Sequence, residues 1–185
     1  LNPSRGGARM TEAHREAVRA PRPAGTPMTI RAARPDDRQL IARAFSGLDR
    51  ESVYTRFFAY KEEPGPADSA RLDAMDFVRH AMLVATIGPP DDETVIAGGS
   101  YSSHVADDGT RSAELAFLVE EDYRGNGLAG RFLAHLAAIA RERGISRFEA
   151  DVLPENKAML AVFARSGLPM HKARDGGVLH VTLDL

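Results

Sequence analysis

The chain has 185 residues, a formal net charge of −2 at pH 7 and no cysteine, and 43% of its residues are hydrophobic. This length and apolar content suit one soluble domain, and no apolar run approaches the roughly 18 to 20 residues that a membrane helix needs. The lack of cysteine excludes disulfides, thiolate metal sites and cysteine nucleophiles, and the near-neutral charge gives no reason to expect nucleic acid as a partner.

Residues 1–27 differ in composition from the rest of the chain. They are rich in proline, glycine and arginine and hold few large apolar side chains. Such a segment cannot bury enough surface to offset its chain entropy, so we expect a disordered N-terminal extension. It also lacks the apolar stretch of a secretory signal. One folded domain is expected over residues 28–185.

The N-terminal part of this domain predicts one short strand followed by three helices. Residues 29–32 form the strand, and Pro35 opens a helix whose first turn carries two aspartates, which suit the positive end of the helix dipole. A second helix is expected over the aromatic residues 52–60, and a weaker helical pattern covers residues 67–76. The apolar residues of the first helix are Leu40, Ile41, Ala44, Phe45 and Leu48.

Strands and turns alternate in the middle of the domain. Two apolar runs, residues 81–87 and 94–103, flank a turn-forming Gly-Pro-Pro-Asp-Asp segment and predict an antiparallel pair. A third strand is expected over residues 113–120. A helix follows a glycine-rich segment and ends at Gly144, which suits a left-handed cap. Its apolar stripe is Leu128, Phe132, Leu136 and Ile139.

The C-terminal part predicts a strand over residues 148–153, a helix over residues 154–166, and a hairpin of residues 168–173 and 178–185. The strand at residues 113–120, its helix and the next strand form one crossover unit. That connection should be right-handed, with its two strands parallel. The whole pattern predicts an α+β fold.

Three glycines, Gly125, Gly127 and Gly130, lie between the third strand and its helix. They spell the G-x-G-x-x-G of a dinucleotide site, and Glu149 and Asp151 follow at about the distance that such a site needs. In a dinucleotide site, however, the first glycine comes almost directly after the strand, whereas a charged stretch intervenes here. A nucleotide-binding redox protein is therefore retained only as an alternative.

The same segment has a second parse, Arg124-x-x-Gly127-x-Ala129. In this parse it resembles motif A of the GNAT acetyltransferase superfamily, Q/R-x-x-G-x-G/A, and the flanking strand and the segment that ends at Asn156 fit that family's spacing. The resemblance covers residues 28–185. It implies a GNAT fold, with a mixed, mostly antiparallel sheet, flanking helices and two splayed parallel central strands, and it implies acetyl-CoA as cosubstrate.

Backbone chemistry explains why such a loop suits coenzyme A. The N–H groups at a helix start lack partners within the helix and carry the positive end of its dipole, so they bind a pyrophosphate that glycines allow to approach. The resemblance further implies that pantetheine pairs with the backbone of Phe117 and Val119. The alternative role for Gly127 and Ala129 is close packing of the helix on the sheet. The cofactor-binding residues that we predict are Phe117, Leu118, Val119, Arg124, Gly125, Asn126, Gly127, Leu128, Ala129, Gly130, Asn156 and Phe163.

Acetyl transfer to an amine needs a general base, since a lysine amine is mostly protonated near neutral pH. Glu114 is our candidate, because it lies at the start of the apolar strand and matches the position from which several GNAT members supply a catalytic glutamate. Its alternative is an exposed edge residue or an ion-pair partner of Arg111. A backbone N–H near Leu118 or Val119 would polarise the thioester carbonyl.

Two residues after the second crossover strand carry further expectations. Asn156 matches an asparagine of motif B that hydrogen-bonds the pantetheine arm, and its alternative is a helix cap. Many GNAT members have a tyrosine seven residues later that protonates the leaving thiolate, whereas this chain has Phe163, which packs against the cofactor or belongs to the helix core. Water, Tyr123 or Tyr101 would then supply the proton.

The acceptor is suggested by the stretches that begin at Arg31, Leu48 and Glu114. They resemble the Pat-type bacterial protein lysine acetyltransferases, which acetylate a lysine of acyl-CoA synthetases, so a protein lysine is favoured. The alternatives are a small amine, such as an aminoglycoside, polyamine or amino acid, and a non-catalytic acyl-CoA sensor. The scattered histidines, among them His80 and His104, predict no metal site. We expect a cytoplasmic monomer or homodimer without a nucleic-acid or membrane partner.

Overall fold

The computed structural model describes residues 27–46 and 75–185. Within them, seven strands form one sheet in the order β1-β2-β3-β4-β5-β7-β6. Strands β4 and β5 are parallel, and every other neighbouring pair in that sheet is antiparallel. The elements are β1 (Met28–Ala32), a 3-10 turn (Pro35–Asp37), α1 (Arg38–Ser46), β2 (His80–Ile87), β3 (Thr94–Val105), β4 (Arg111–Val119), a second 3-10 turn (Glu121–Tyr123), α2 (Leu128–Glu142), β5 (Arg147–Val152), α3 (Lys157–Ala164), β6 (Met170–Asp175) and β7 (Val178–Asp184).

The predicted α+β class is confirmed, and so is each element predicted within the described residues. The dinucleotide-binding alternative is wrong, because its sheet is mostly parallel whereas the described strands contain one parallel pair. The helix expected over residues 52–60 and almost all of the extension expected over residues 1–27 lie outside the described residues. Of residues 67–76, only Met75 and Asp76 are described, and neither is helical. No helix of the described ranges is long and apolar enough to cross a membrane.

The helices cover both faces of the sheet. On β2, Leu83 and Ala85 belong to the main core with α2 and α3, whereas Val84 between them packs with α1 in a second cluster. Alternate strand residues point to opposite faces, so α1 lies on the face opposite α2 and α3. The predicted stripe of α2 is buried, which stabilises the fold by about 1.5–3 kcal/mol for each large side chain. Its residues are Leu128, Phe132, Leu136 and Ile139.

An ion-pair cluster fixes the entry to α1. The guanidinium of Arg31 donates to both carboxylate oxygens of Asp37 at 2.7 Å and to Glu93 Oε2 at 2.6 Å. Asp37 is 4% exposed and also accepts the Arg34 N–H at 2.7 Å. The aspartate that we expected to complement the helix dipole is therefore mainly a buried ion-pair partner, which ties β1 and the start of α1 to the residue before β3.

The two parallel strands separate halfway along their length. Only residues 112–114 of β4 pair with residues 147–149 of β5. Beyond that point β4 continues to Val119 against β3, and β5 continues to Val152 against β7. The predicted splay is thus confirmed, and it begins immediately after Glu114.

Candidate active site

Two backbone hydrogen bonds establish which edge of β4 faces the gap between β4 and β5. The Glu120 N–H donates to Ile96 O at 3.0 Å, so position 120 faces β3. At the other end of the strand, Arg111 O accepts the Ser146 N–H at 3.0 Å, so position 111 faces β5. In an antiparallel ladder every second residue directs its N–H and C=O to the same neighbour. Odd-numbered positions of β4 therefore face β5.

The gap edge of β4 thus carries the backbone groups of Leu115, Phe117 and Val119. These are suited to pair with an extended ligand that takes the place of a strand, as we predicted for Phe117 and Val119. Leu118 pairs with Gly98 of β3. Of the two candidates for polarising the thioester carbonyl, Val119 therefore has the suitable backbone orientation, and our expectation for the Leu118 N–H is wrong.

The glycine-rich loop has the conformation that its sequence demands. Gly125 and Gly127 have φ values of +76° and +74°, a region that disfavours any residue with a Cβ. A Cβ added at Gly125, Gly127 or Gly130 would meet no heavy atom within 4 Å. Close packing on the sheet therefore does not explain Gly127, and this alternative is wrong. The backbone at these three glycines is therefore not covered by other protein atoms.

The start of α2 offers unsatisfied donors on the same side. Gly127 caps the helix without a side-chain hydrogen bond, and its carbonyl accepts the Arg131 N–H at 3.1 Å. The N–H groups of Leu128, Ala129 and Gly130 precede that bond and have no acceptor within the helix. The 15-residue helix adds the positive end of its dipole. This donor set fits the diphosphate of coenzyme A.

Side chains of the loop brace it from outside. Asn126 Nδ2 donates to Tyr123 O at 3.1 Å, and Arg124 Nε lies 3.5 Å from Val119 O. The nearby Glu120 is half-buried, and its burial together with the charge of Asp122 raises the pKa of its carboxyl. These contacts join the loop to the end of β4, so the predicted diphosphate and pantetheine positions are adjoining.

Glu114 lies exposed on the sheet face opposite α2, at the point where the gap opens. Its partners in register are Ser102 on β3 and Glu149 on β5. Arg111 does not pair with it, because the Arg111 guanidinium donates to Arg143 O at 3.0 Å at the C-terminal end of α2. The ion-pair alternative for Glu114 is therefore wrong, and the carboxylate faces the open side of the sheet.

Two histidine pairs flank Glu114, and our sequence reasoning missed both. His80 Nδ1 lies 2.6 Å from Ser102 Oγ, and His104 Nε2 lies 3.4 Å from Glu149 Oε2. All four side chains share the face of Glu114. Strand alternation could have indicated this arrangement, because it places these four side chains on the sheet face opposite the α2 core. They are His80, Ser102, His104 and Glu149.

Asn156 and Phe163 have the local roles that we weighed as alternatives. Asn156 Oδ1 accepts the Met159 N–H at 3.1 Å and caps α3, which leaves its Nδ2 group as the donor for a ligand. Phe163 is 1% exposed, and its ring centroid lies 6.3 Å from that of Phe117. Burial of this kind supports a core role for Phe163, packed against Phe117.

The two tyrosines considered as proton donors differ in position. Tyr101 is 2% exposed, packs against Phe148, and has a hydroxyl with no hydrogen-bond partner among the described residues. Burial raises its pKa to about 12. A hydroxyl sealed in the core does not reach a ligand in the gap, so Tyr101 is excluded. Tyr123, half-buried in the turn before the glycine loop, remains a candidate.

Comparison with known proteins agrees with this geometry. The acetyltransferase (GNAT) family matches residues 50–168. The crystal structure of the GNAT domain of S. lividans PAT is 33% identical, with a TM-score of 0.81, and the match covers 96% of this chain and 100% of that domain. Acetyltransferase Pat of Mycolicibacterium smegmatis is 30% identical over 153 residues, which are 78% of this chain and 43% of that protein. Acetyltransferase PA5475 of Pseudomonas aeruginosa is 27% identical over 135 residues, covering 73% of this chain and 71% of that protein.

The chain therefore spans less than half of the length of the M. smegmatis relative. The family match covers well over half of this chain, and the splayed strands and glycine loop have the arrangement that the resemblance implied. The chain belongs to the GNAT family of acetyltransferases, and its cosubstrate is acetyl-CoA.

Proposed function

We propose that this enzyme transfers the acetyl group of acetyl-CoA to the side-chain amine of a lysine in a protein, with Glu114 as general base. The position of Glu114 is the observation that carries the proposal. Strands β4 and β5 stop pairing immediately after it, so the carboxylate borders the opening through which a thioester in the gap would meet an acceptor. The resemblance of the sequence to Pat-type protein lysine acetyltransferases supports a protein lysine, and an acyl-CoA synthetase is the first acceptor to test.

The chain's own groups divide the binding of acetyl-CoA between them. The N–H groups of residues 128–130 and the open loop at Gly125 and Gly127 hold the diphosphate. The backbone of Phe117 and Val119 holds the pantetheine arm, and Asn156 Nδ2 donates to it. Because most of these contacts use backbone, donor binding depends on the conformation of the loop and of β4 more than on particular side chains.

The chemistry that remains for the protein is proton transfer and polarisation of a carbonyl. Acetyl-CoA supplies an activated thioester. Glu114 takes a proton from the incoming ammonium, because only a neutral amine is nucleophilic, and the Val119 N–H stabilises negative charge on the thioester oxygen. With Phe163 in the core, the departing thiolate receives its proton from water or from Tyr123.

The test is acetylation of purified acyl-CoA synthetases and of a lysate, with modified lysines mapped by mass spectrometry and thiol release followed in parallel. Glu114→Gln should lower kcat by about 10²–10⁴-fold and leave acetyl-CoA affinity unchanged. Glu149→Gln, a neighbouring carboxylate on the same face, is the matched control and should lose far less activity. Equal rates for wild type and Glu114→Gln would refute the base.

Other outcomes would change the acceptor or the class of function. Rapid acetylation of polyamines or aminoglycosides without modified protein lysines would identify a small-molecule enzyme. Tight acetyl-CoA binding without thiol release for any amine would indicate a sensor. The proposal includes a cytoplasmic location, with which a cysteine-free sequence is compatible, and imaging of a tagged full-length protein checks it.

A further inference from the structure

The short contact between His80 and Ser102 is held in place from several directions. The two residues are partners in register on β2 and β3, and His80 Nδ1 lies 2.6 Å from Ser102 Oγ. Asp76 Oδ1 accepts the His80 N–H at 3.1 Å, and His80 O accepts the Phe77 N–H at 2.9 Å. Phe77 adopts a φ of +53°, which is unfavourable for a residue with a side chain. The loop thus bends sharply to fix the backbone of His80.

Ser102 lies directly between this histidine and the proposed base. It is the register partner of Glu114 on the next strand. Because even-numbered residues of β4 direct their backbone groups to β3, the two residues form a hydrogen-bonded antiparallel pair, whose Cα atoms are typically about 5.5 Å apart. Directly opposed side chains point to the same face of the sheet. The Ser102 and Glu114 side chains therefore lie next to each other on this face, and His80, Ser102 and Glu114 form a row across three strands.

A base that removes a proton must release it before the next turnover. With no acceptor bound, Glu114 would lose this proton to water. A bound acceptor, whose nitrogen lies within hydrogen-bond reach of the carboxylate, covers the side of Glu114 that faces solvent. Routes along the sheet face remain. On one flank Ser102 offers a hydroxyl that both donates and accepts, whereas on the other Glu149 offers only a second carboxylate, held by His104.

We propose that Ser102 and His80 form a relay that takes from Glu114 the proton removed from the acceptor amine. The Glu114 carboxyl O–H bond breaks as its proton moves to Ser102 Oγ, and the Ser102 O–H bond breaks as its proton moves to His80 Nδ1. The net change is transfer of one proton from Glu114 to His80. The imidazolium then releases one proton to solvent, and exchange with water returns the ring to the neutral form whose Nδ1 is unprotonated, so that the relay is ready for the next turnover.

This relay rests on the proposed role of Glu114 and adds two residues to the same reaction. It makes Ser102 and His80 contributors to turnover and not to donor binding. The structure supplies matched controls. His104 is a histidine on the same face of β3 whose partner is Glu149, and Ser112 is a buried serine on the same face of β4, the register partner of His104.

The experiment compares Ser102→Ala, His80→Gln and the double variant with wild type, under saturating acetyl-CoA and acceptor. Each single variant should lower kcat about ten- to a hundredfold, and the double variant should lose no more than either single, because the two residues act as one unit. KM for the acceptor and the Kd of acetyl-CoA should stay within about twofold. His104→Gln and Ser112→Ala should keep wild-type kcat.

Three readouts separate a relay from a structural contact. Ser102→Thr, which keeps the hydroxyl, should restore kcat. Added imidazole should rescue His80→Ala in proportion to its concentration. The solvent deuterium isotope effect on kcat should rise in Ser102→Ala, because release of the proton then becomes rate-limiting, and an isotope effect equal to that of wild type would count against the relay. A wild-type kcat in both Ser102→Ala and His80→Gln, beside an inactive Glu114→Gln, overturns the relay alone. An active Glu114→Gln overturns the proposed base instead.

Discussion

Substitution of individual glycines by alanine separates two roles of the loop before α2, its left-handed backbone conformation and its proposed contact with the diphosphate. At Gly127 the backbone has a φ of +74°, and an added Cβ would meet no protein atom within 4 Å. Gly144, at the other end of α2, has a φ of +71° and equally open surroundings. Gly130 lies within α2, without a positive φ, and is also open. The three sites therefore differ in conformation and in distance from the proposed diphosphate, and not in crowding.

The expected stabilities follow from conformation alone. Alanine in the left-handed region costs roughly 1–2 kcal/mol, so Gly127→Ala and Gly144→Ala should each lower the free energy of unfolding by about 1 kcal/mol. In a domain of this size that lowers Tm by about 2–4 °C. Gly130→Ala should raise stability by about 0.5–1 kcal/mol, because alanine is the better helix residue.

The expected affinities follow from the ligand. If a Cβ at position 127 or 130 keeps one phosphate oxygen from its N–H, the loss of a charge-assisted hydrogen bond costs about 1.5–3 kcal/mol. Acetyl-CoA should then bind about ten- to a hundredfold more weakly to Gly127→Ala and Gly130→Ala, and equally well to Gly144→Ala. Gly130→Ala would thus be more stable than wild type and a weaker binder.

Thermal melts without ligand and calorimetric titration with acetyl-CoA measure the two quantities separately. Wild-type affinity in both Gly127→Ala and Gly130→Ala would show that the diphosphate does not lie at this loop. Equal loss of affinity in Gly144→Ala would mean that the effect comes from general destabilisation and not from contact.

Two further predictions concern stability and the proton donor. Burial opposes ionisation of Asp37, but hydrogen bonds from Arg31 and from the Arg34 N–H outweigh it and hold the pKa of the carboxyl below its usual value. The stabilisation by this carboxylate is therefore fully present above the ordinary carboxyl pKa and is lost as the pH falls through the lowered pKa of Asp37. Asp37→Asn should lower the free energy of unfolding by about 3–5 kcal/mol near neutral pH and weaken its dependence on acid pH in urea titrations. A variant whose stability falls with acid as steeply as that of wild type would contradict this prediction. Tyr101→Phe removes a buried hydroxyl without a described partner, so Tm should stay equal or rise and kcat should stay within about twofold; a large loss of kcat would restore Tyr101 as a proton donor.

What the sequence predicts well in this chain is local. The buried stripe of α2 and the positive φ of Gly144 follow from spacing and from glycine chemistry within a few residues, and the structure confirms both. The splay was correctly expected, but only through the family resemblance, since periodicity does not say where two strands stop pairing.

The missed contacts join residues far apart in the chain. Glu93 follows Arg31 by 62 positions, and Ser102 follows His80 by 22. Hydrophobic periodicity assigns each of these residues to a strand or turn but carries no register, and register alone decides which polar side chains share a face. Asp37 is a different case, because its partner Arg31 lies only six residues away, and helical spacing gave no sign that the chain folds back between them.

Because β4 is paired along only part of its length, its backbone and the side chains of the sheet face would recognise different substrates, which affects how the enzyme can evolve. The edge that Leu115, Phe117 and Val119 present to the gap consists of main-chain N–H and C=O groups, which every amino acid except proline supplies. The apolar side chains there can change as far as core packing allows while the donor remains recognised, provided that the strand keeps its direction. Substitutions on the opposite, polar face would instead retune which amine is accepted, so new acceptors can arise without any loss of the shared acyl source.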